Sequence, residues 1–248
     1  MHEIEWTDEK IALIWNYYAK NPSYQGQYFS CHSGRNIIEY VNKHIKLKNI
    51  KTFLDFGCGP GYLIEHLLKF LGNRWGGKVH GLDFSKESIE KFREKFSRFN
   101  NVANAIWVNK LPFPIEDNSI DCVFAVEIIE HLNDLYLSAT LNEIYRILRP
   151  GGYLIITTPN NEDLEANKTI CPECGCIFHR WQHVRSWDKV SLNMLLNQHN
   201  FTDIKIKEAL IYPDSSRKII KVLKKVIKVL LMERKNINPN KIVAIVKK

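Results

Sequence analysis

The spacing of hydrophobic positions changes in a regular way from residue 51 onward. Short runs rich in β-branched and aromatic residues alternate with longer stretches in which apolar residues recur every three or four positions. This alternation predicts an α/β fold in which helices cover a mostly parallel sheet. Seven strands are predicted, at KTFLDF, GKVHGLD, ANAIWV, IDCVFAV, GYLIITT, DIKIKEALIY and KIVAIVK. Helices are predicted near residues 61–71, 86–99, 133–148, 188–198 and 216–234.

Two stretches break this pattern. The first 50 residues combine aromatic residues in WNYYAKNPSYQGQYF with a helix-like run in GRNIIEYVNKH, which predicts a helical lid over the strand ends, where α/β proteins bind ligands. The stretch from Pro159 to Trp187 has no regular pattern, and such a long loop in a compact domain usually has a function or a special means of stabilisation. A single domain over 1–248 is therefore expected to divide into a lid (1–50), a core (51–160), an insertion (160–187) and a C-terminal part of the sheet (188–248).

Composition fits a globular protein without a membrane span. Hydrophobic residues make up 45% and charged residues 25% of the 248, and no apolar run reaches the roughly 18–20 residues that a spanning helix needs. The start MHEIEWTDEK is acidic and polar, unlike a secretory signal. Three of the six cysteines crowd into residues 171–176, which suits reduced thiols or metal ligands better than disulfides. These features predict a cytoplasmic protein.

Three glycines follow the first predicted strand, in the turn from Gly57 to Gly61. Glycine adopts positive φ without strain and lets a ligand touch the backbone, so this turn predicts a ligand site. The nucleotide fingerprint G-x-G-x-x-G would need a glycine where Tyr62 stands, and the Gly-Lys-Ser/Thr ending of a P-loop is missing. The pattern therefore weighs against dinucleotide and triphosphate ligands.

The run DFGCGPG, followed by the acidic end of VHGLDFS, resembles the class I S-adenosylmethionine-dependent methyltransferases, from about residue 30 onward. The resemblance implies a seven-stranded Rossmann-like methyltransferase sheet, mostly parallel with the last strand antiparallel. It implies S-adenosyl-L-methionine as the cofactor, with Asp83 accepting hydrogen bonds from both ribose hydroxyls, as a carboxylate can. The loop positions implied to bind the cofactor are Asp55, Gly57, Cys58, Gly59 and Gly61, with Phe84 beside Asp83.

KLPFPIEDNSIDCVFAVEIIEHLND and ILRPGGYLIITTPN resemble further parts of this family. The family often has an acid after the third strand that contacts adenine, but Trp107 stands at that position. Trp107 could stack on the purine while the Val108 N–H donates to a ring nitrogen, or Trp107 could fill the core. Arg35 matches an arginine that some relatives use for the methionine carboxylate, and the alternative is an ordinary surface arginine.

Glu127, Glu130 and His131 lie in EIIEH, directly after the fourth predicted strand. The motif resembles the Glu-x-x-Glu-His of quinone-biosynthesis O-methyltransferases, where these positions are associated with a divalent metal or a general base. The resemblance implies methyl transfer to an acceptor oxygen by in-line displacement. The acceptor stays open between a quinone or phenol precursor, a lipid-linked or saccharide hydroxyl and another small molecule. His131 is the predicted base, because an imidazole of pKa near 6.5 suits that role. Glu127 is also a candidate cofactor ligand, and metal binding or helix capping by the three residues stays open.

Cys171, Cys174, His179 and His183 follow the spacing C-x2-C-x4-H-x3-H. These are four ligands of the types that zinc takes tetrahedrally, and a metal would fold a segment that lacks its own core. The sequence therefore predicts a structural zinc site. Alternatives are that Cys176 replaces one histidine, that the histidines touch substrate in a metal-free flap, or that the thiols act in redox chemistry.

Much of the net charge of +8 comes from one segment, because eight of the 35 basic residues lie between Arg217 and Lys235. The predicted helix 216–234 has one apolar and one basic face, so it either packs on the protein or makes peripheral contact with a membrane. A nucleic-acid partner is not expected from charge. Two other functions stay open: a catalytically silent binding or membrane-contact module, and a nucleic-acid methyltransferase.

Overall fold

The computed structural model of the protein describes residues 1–211 and 239–248. Its strands are β1 (His2–Glu3), β2 (Thr52–Phe56), β3 (Lys78–Asp83), β4 (Val102–Trp107), β5 (Ile120–Val126), β6 (Leu148–Pro159), β7 (Lys168–Ile170), β8 (Cys176–His179), β9 (Thr202–Ala209) and β10 (Lys241–Lys247). Seven of these form one sheet in the order β4-β3-β2-β5-β6-β10-β9. Only β10 is antiparallel to its neighbours, β6 and β9. The predicted Rossmann-like sheet of seven strands, with the last strand antiparallel, is confirmed.

The helices fall where the hydrophobic spacing predicts them. They are α1 (Asp8–Lys20), α2 (Pro22–Gln25), α3 (Phe29–Asn42), α4 (Tyr62–Leu71), α5 (Lys86–Phe96), α6 (Asp134–Ile147) and α7 (Lys189–Gln198). Side chains of Ser85, Asn133 and Asp188 accept backbone N–H groups at the starts of α5, α6 and α7, which satisfies donors that the helix itself leaves free. The predicted helix 216–234 lies outside the described residues.

Two apolar layers cover the two faces of the sheet. Alternate residues of a strand point to opposite faces: Phe53 of β2 joins the layer formed with α3, α4 and α5, while Leu54 joins the layer formed with α6 and α7. Both side chains are fully buried. The sheet is therefore enclosed by helices on both faces, and its strand ends are left to build a site.

A second, three-stranded sheet ties the N-terminus to the insertion. β1 pairs with β8, and β8 pairs with β7, in the order β1-β8-β7. A bridge between Asn160 and Trp187 closes the base of the insertion. The unpatterned stretch is thus a hairpin with defined partners, whereas the division of the chain into lid, core, insertion and C-terminal part stays a prediction.

No helix within residues 1–211 and 239–248 has both the length and the apolar character needed to cross a membrane.

Candidate active site

A cavity of about 590 Å³ lies at the carboxyl edge of the parallel strands. Its floor comes from residues that end or follow β2, β3, β5 and β6, namely Phe56, Asp83, Glu127 and Pro159. Its roof comes from one face of α1, where residues three or four positions apart share a side. The residues of α1 on this face are Asp8, Ile11, Ala12, Trp15 and Tyr18. Helix α1 therefore lies across the cavity from the strand ends.

The glycine turn brings bare backbone to this cavity. Gly57 and Gly59 line it with φ of +71° and +50°. A Cβ at Gly57 would lie 2.1 Å from Cδ1 of Ile128, and one at Gly59 would lie 3.2 Å from the Tyr28 ring. Both the conformation and the close approach of neighbouring side chains thus require glycine here.

Asp83 ends β3 with its carboxylate beside the turn. Its Oδ2 accepts the Gly59 N–H at 2.8 Å and its Oδ1 accepts the Ser85 N–H at 2.7 Å. Burial raises the pKa of Asp83 to about 6, against these two hydrogen bonds, which lower it. Each carboxylate oxygen accepts more than one hydrogen bond, so both oxygens keep capacity for a ligand in the cavity. The Phe84 ring also lines the cavity.

Asp55, Cys58 and Gly61 shape the turn from behind and are absent from the cavity wall. Asp55 is buried, and burial together with the charge of Asp83 raises its pKa well above the usual range. The Cys58 amide donates to the Leu82 carbonyl at 3.1 Å, and its thiol is buried. Among the predicted loop residues, Gly57 and Gly59 face the cavity.

Three other predicted cofactor residues point elsewhere. The Val108 N–H donates to the Asp83 carbonyl at 3.1 Å, so it is not free for an adenine nitrogen. Trp107 is 43% exposed and its Nε1 donates to the Phe84 carbonyl, which contradicts its reading as core filler and places it outside the cavity wall. Arg35 projects from α3 into solvent and pairs with Glu39 at 2.9 Å. Asn109, two positions past Trp107, lines the cavity instead, and the sequence offered no motif for it.

Glu127 lines the cavity and is held by two neighbours. Its Oε1 accepts the Thr157 hydroxyl at 2.9 Å, and its Oε2 pairs with the ammonium of Lys241. The same ammonium lies 4.3 Å from the centroid of the Phe29 ring. Lys241 was not predicted, because it comes from the first position of β10, far away in the sequence. It gives the cavity a cation that Arg35 does not supply.

Glu130 is buried, whereas His131 is partly exposed at the cavity wall. Glu130 is 1% exposed, and its Oε2 accepts the Thr158 hydroxyl at 3.1 Å. Burial, together with the charge of Glu127, raises its pKa well above the usual range. Burial, with a smaller effect of His183, lowers the pKa of His131 to about 3. The lowered pKa favours the neutral form of the His131 imidazole.

The insertion delivers two histidines to this end of the cavity. Nδ1 of His183 lies 2.5 Å from Oε2 of Glu162, and Nε2 of His179 lies 3.6 Å from Oε1 of the same carboxylate. The His179 and His183 rings stack at 4.5 Å, and the His131 ring meets His183 edge-on at 4.7 Å. Glu162 and His183 both line the cavity. Sequence spacing did not identify Glu162, which precedes the histidines by 17 and 21 positions.

The four predicted zinc ligands are not brought together. The described residues contain two groups of three possible ligands within 4.8 Å of one another, Glu130 with His131 and His183, and Glu162 with His179 and His183. Cys171 and Cys174 belong to neither, because they lie in the turn between β7 and β8, where the Cys171 N–H donates to the Cys176 carbonyl. The structural zinc predicted at Cys171, Cys174, His179 and His183 stays a prediction, without a four-ligand cluster among the described residues.

The hydrogen bonds of His179 determine its tautomer. Its Nδ1 accepts the N–H groups of Trp181 at 3.3 Å and of His183 at 3.1 Å. The proton of the neutral ring therefore sits on Nε2.

Comparison with known proteins places the chain in a family. A family model described as a methyltransferase domain matches residues 24–206. The demethylmenaquinone methyltransferase of Staphylococcus haemolyticus is 29% identical over 186 residues, which cover 68% of this chain and 76% of that protein. A second, from Staphylococcus saprophyticus, is 29% identical over 184 residues, 67% of this chain and 77% of that protein.

Solved structures share the fold. A SAM-dependent methyltransferase from Archaeoglobus fulgidus has a TM-score of 0.54 at 24% identity, covering 86% of this chain and 94% of that one. The phosphoethanolamine N-methyltransferase 2 of Haemonchus contortus, solved with S-adenosyl-L-methionine, has a TM-score of 0.60 at 17% identity, covering 98% of this chain and 57% of that one. With the family match over most of its length, the chain belongs to the methyltransferase domain family and is an S-adenosylmethionine-dependent methyltransferase.

Proposed function

We propose that this methyltransferase transfers a methyl group to an oxygen of a hydroxylated small-molecule or lipid-linked acceptor. One observation carries the proposal: a single cavity is lined by Asp83 and Gly59 at the glycine turn and by Glu127, His131 and His183 near the insertion. Cofactor and acceptor would therefore meet in one chamber under α1. Methyl transfer depends mainly on such positioning.

The residues at the glycine turn fit S-adenosylmethionine. The carboxylate of Asp83 offers acceptor capacity to a ribose diol, and the bare backbone of Gly57 and Gly59 leaves room beside it. Lys241 supplies a cation and Glu127 an anion for the charged groups of the amino-acid portion. When bound, the cofactor supplies a methyl carbon whose bond to sulfur breaks, with its electron pair going to sulfur, as the acceptor oxygen forms the new C–O bond and loses its proton.

The cavity wall supports an acceptor with an aromatic or otherwise flat apolar body. Indole and phenol rings of Trp6, Trp15, Tyr24 and Trp181 line it, and such rings bind flat apolar ligands through their faces and edges. The named activity of the staphylococcal relatives on demethylmenaquinone supports a quinone-type or phenolic compound.

A lipid-linked acceptor would connect this site to a membrane surface. The sequence predicts a helix over residues 216–234 with one apolar and one basic face, and this segment is the proposed peripheral membrane contact. We also propose a cytoplasmic location. Sedimentation of the protein with anionic vesicles, but not with zwitterionic ones, would support the membrane contact. Loss of sedimentation on removal of residues 216–234 would assign the contact to this segment.

The activity is tested with purified protein, S-adenosylmethionine and a panel of hydroxylated aromatic and lipid-linked compounds. We expect S-adenosylhomocysteine to form with at least one of them, Asp83→Ala to abolish it, and the product to carry its new methyl group on oxygen by NMR. A methyl group on carbon or nitrogen would contradict O-methylation. A rate equal to that without acceptor for every compound would contradict the acceptor class.

A further inference from the structure

Glu162, His179 and His183 form an ordered array on the insertion, at the wall of the cavity. None of the three belongs to the glycine turn or to EIIEH. His183 and Glu162 reach the cavity, while His179 is buried behind them. The array therefore places an imidazole next to the space that the acceptor would occupy.

The contact with Glu162 determines which nitrogen of His183 is free. Nδ1 of His183 lies 2.5 Å from Oε2 of Glu162. An ionised carboxylate only accepts hydrogen bonds, so Nδ1 of His183 carries the proton and Nε2 carries the lone pair. A carboxylate that holds a histidine in one tautomer is the arrangement by which enzymes prepare an imidazole to accept a proton.

His179 lies on the other side of the Glu162 carboxylate. Since Nδ1 of His179 accepts two backbone N–H groups, its proton is on Nε2, 3.6 Å from Oε1 of Glu162. That distance is too long for a hydrogen bond, and Nε2 of His179 is buried with no hydrogen-bond partner among the described residues. At this distance the N–H group of His179 still favours the ionised form of the carboxylate.

His131 is less suited to take the proton. It is surrounded by Trp15 at 5.1 Å and His183 at 4.7 Å between ring centroids, and its Nδ1 lies 3.4 Å from the Gln182 carbonyl. Glu130, beside it, is directed to Thr158. Among the described residues, no carboxylate hydrogen-bonds to His131, although an oxygen of Glu130 lies within 4.8 Å of one of its ring nitrogens.

We propose that His183 is the general base of the reaction, with Glu162 and His179 as positioning residues. The inference rests on the proposed O-methyl transfer. The O–H bond of the acceptor breaks, its electron pair stays on oxygen for the new bond to the methyl carbon, and the proton passes to Nε2 of His183. The acceptor class is accordingly a weakly acidic hydroxyl, such as a phenol, that is protonated at neutral pH. Among the described residues, the ionisable groups that face His183 are Glu162, His179, His131 and Glu130.

The tautomer is tested without any acceptor, by NMR of the full chain labelled with ¹⁵N-histidine. We expect His183 to carry its proton on Nδ1 in the wild type and in Glu162→Asp, and to lose this preference in Glu162→Gln. His183 protonated on Nε2 in the wild type would overturn the proposal. So would a bound divalent ion that is lost in His183→Gln and kept in Cys174→Ser.

The base role is tested with two probe acceptors, phenol and 4-nitrophenol, whose hydroxyl is far more acidic and already ionised at assay pH. His183→Gln should lose about 10²- to 10⁴-fold in kcat with phenol, the usual contribution of a general base, and much less with 4-nitrophenol. Glu162→Gln should lose kcat with little change in KM, and Glu162→Asp should recover part of it.

Equal losses of kcat with both phenols in His183→Gln would assign His183 a structural role. They would overturn its proposed role as general base and leave the proposed function standing. Methylation of neither phenol, nor of any hydroxylated compound of the wider panel, by the wild type would overturn the proposed function and the base with it.

Discussion

Asp83 is the residue through which pH should act on cofactor binding. Its pKa is raised to about 6 by burial, so the carboxyl group is ionised at pH 7 and protonated below 6. Because the ionised form accepts the hydrogen bonds of a diol, affinity is full above pH 7 and falls as the pH drops through 6. We expect the dissociation constant of S-adenosylhomocysteine to rise about tenfold between pH 7 and pH 5, as measured by calorimetry. A rise of the same size in Asp83→Asn would assign the effect to another group.

Gly57 should be the least replaceable glycine of the turn. Alanine there must adopt φ of +71° and place a methyl group 2.1 Å from Cδ1 of Ile128. Left-handed backbone at a residue other than glycine costs about 1–3 kcal/mol, so Gly57→Ala should lower the free energy of unfolding by at least that amount in urea denaturation. Gly76→Ala is the matched control, since no atom lies within 4 Å of its Cβ position. Equal losses in the two variants would refute the steric explanation.

At the scale of elements, side chains of α1 hydrogen-bond to the insertion. Trp15 Nε1 donates to Oε1 of Gln182 at 2.9 Å, and the Tyr18 hydroxyl donates to the Arg180 carbonyl at 2.5 Å. Trp15→Phe keeps an aromatic ring and removes one hydrogen bond, which contributes about 0.5–1.5 kcal/mol. Hydrogen exchange in α1 should therefore quicken about 2- to 12-fold. Leu13→Ala, at a position 72% exposed on the same helix, should leave the exchange rate unchanged. Faster exchange in Leu13→Ala than in Trp15→Phe would show that these hydrogen bonds do not stabilise α1.

The turn between β7 and β8 separates the two parts of the predicted zinc site. Cys171 and Cys174 lie in this turn, whereas His179 and His183 lie with Glu162. We expect metal that copurifies with the protein to be lost in Cys171→Ser and Cys174→Ser and to be retained in His183→Gln, as measured by elemental analysis. Loss of metal in His183→Gln as well as in the cysteine variants would support the predicted site with four ligands.

Elements whose signals are local were predictable from the sequence. The strand KIVAIVK and the capped helices after Ser85 and Asp188 fall where their patterns indicated. The pairing of β1 with β8 was not predictable, because two residues of a short strand carry no periodicity and their partner is 174 positions away. The same limit applies to the His179 ring, whose tautomer depends on backbone N–H groups that only the folded turn brings to it.

At the scale of the whole molecule, the sequence located one end of the cavity better than the other. Gly57 and Gly59 directly follow one strand and Asp83 ends the next, so a short sequence motif was enough to predict that they line the cavity. Arg35 and Trp107 were assigned by position within the family pattern, and the fold turns both side chains away from the cavity. Lys241 and Glu162 reach the cavity from distant parts of the chain, and no spacing rule connects them to Glu127 or His183.

The central claim is that Asp83 and the glycine turn bind S-adenosylmethionine. Its most direct test is calorimetric titration of the full chain with S-adenosylhomocysteine, using Asp83→Ala and, as control, Asp203→Ala on the exposed edge strand β9. One hydrogen bond to a charged group contributes about 1.5–3 kcal/mol, so Asp83→Ala should weaken binding by at least about tenfold, with Asp203→Ala unchanged. Absence of binding to the folded wild type, or equal affinity in Asp83→Ala, would contradict the account.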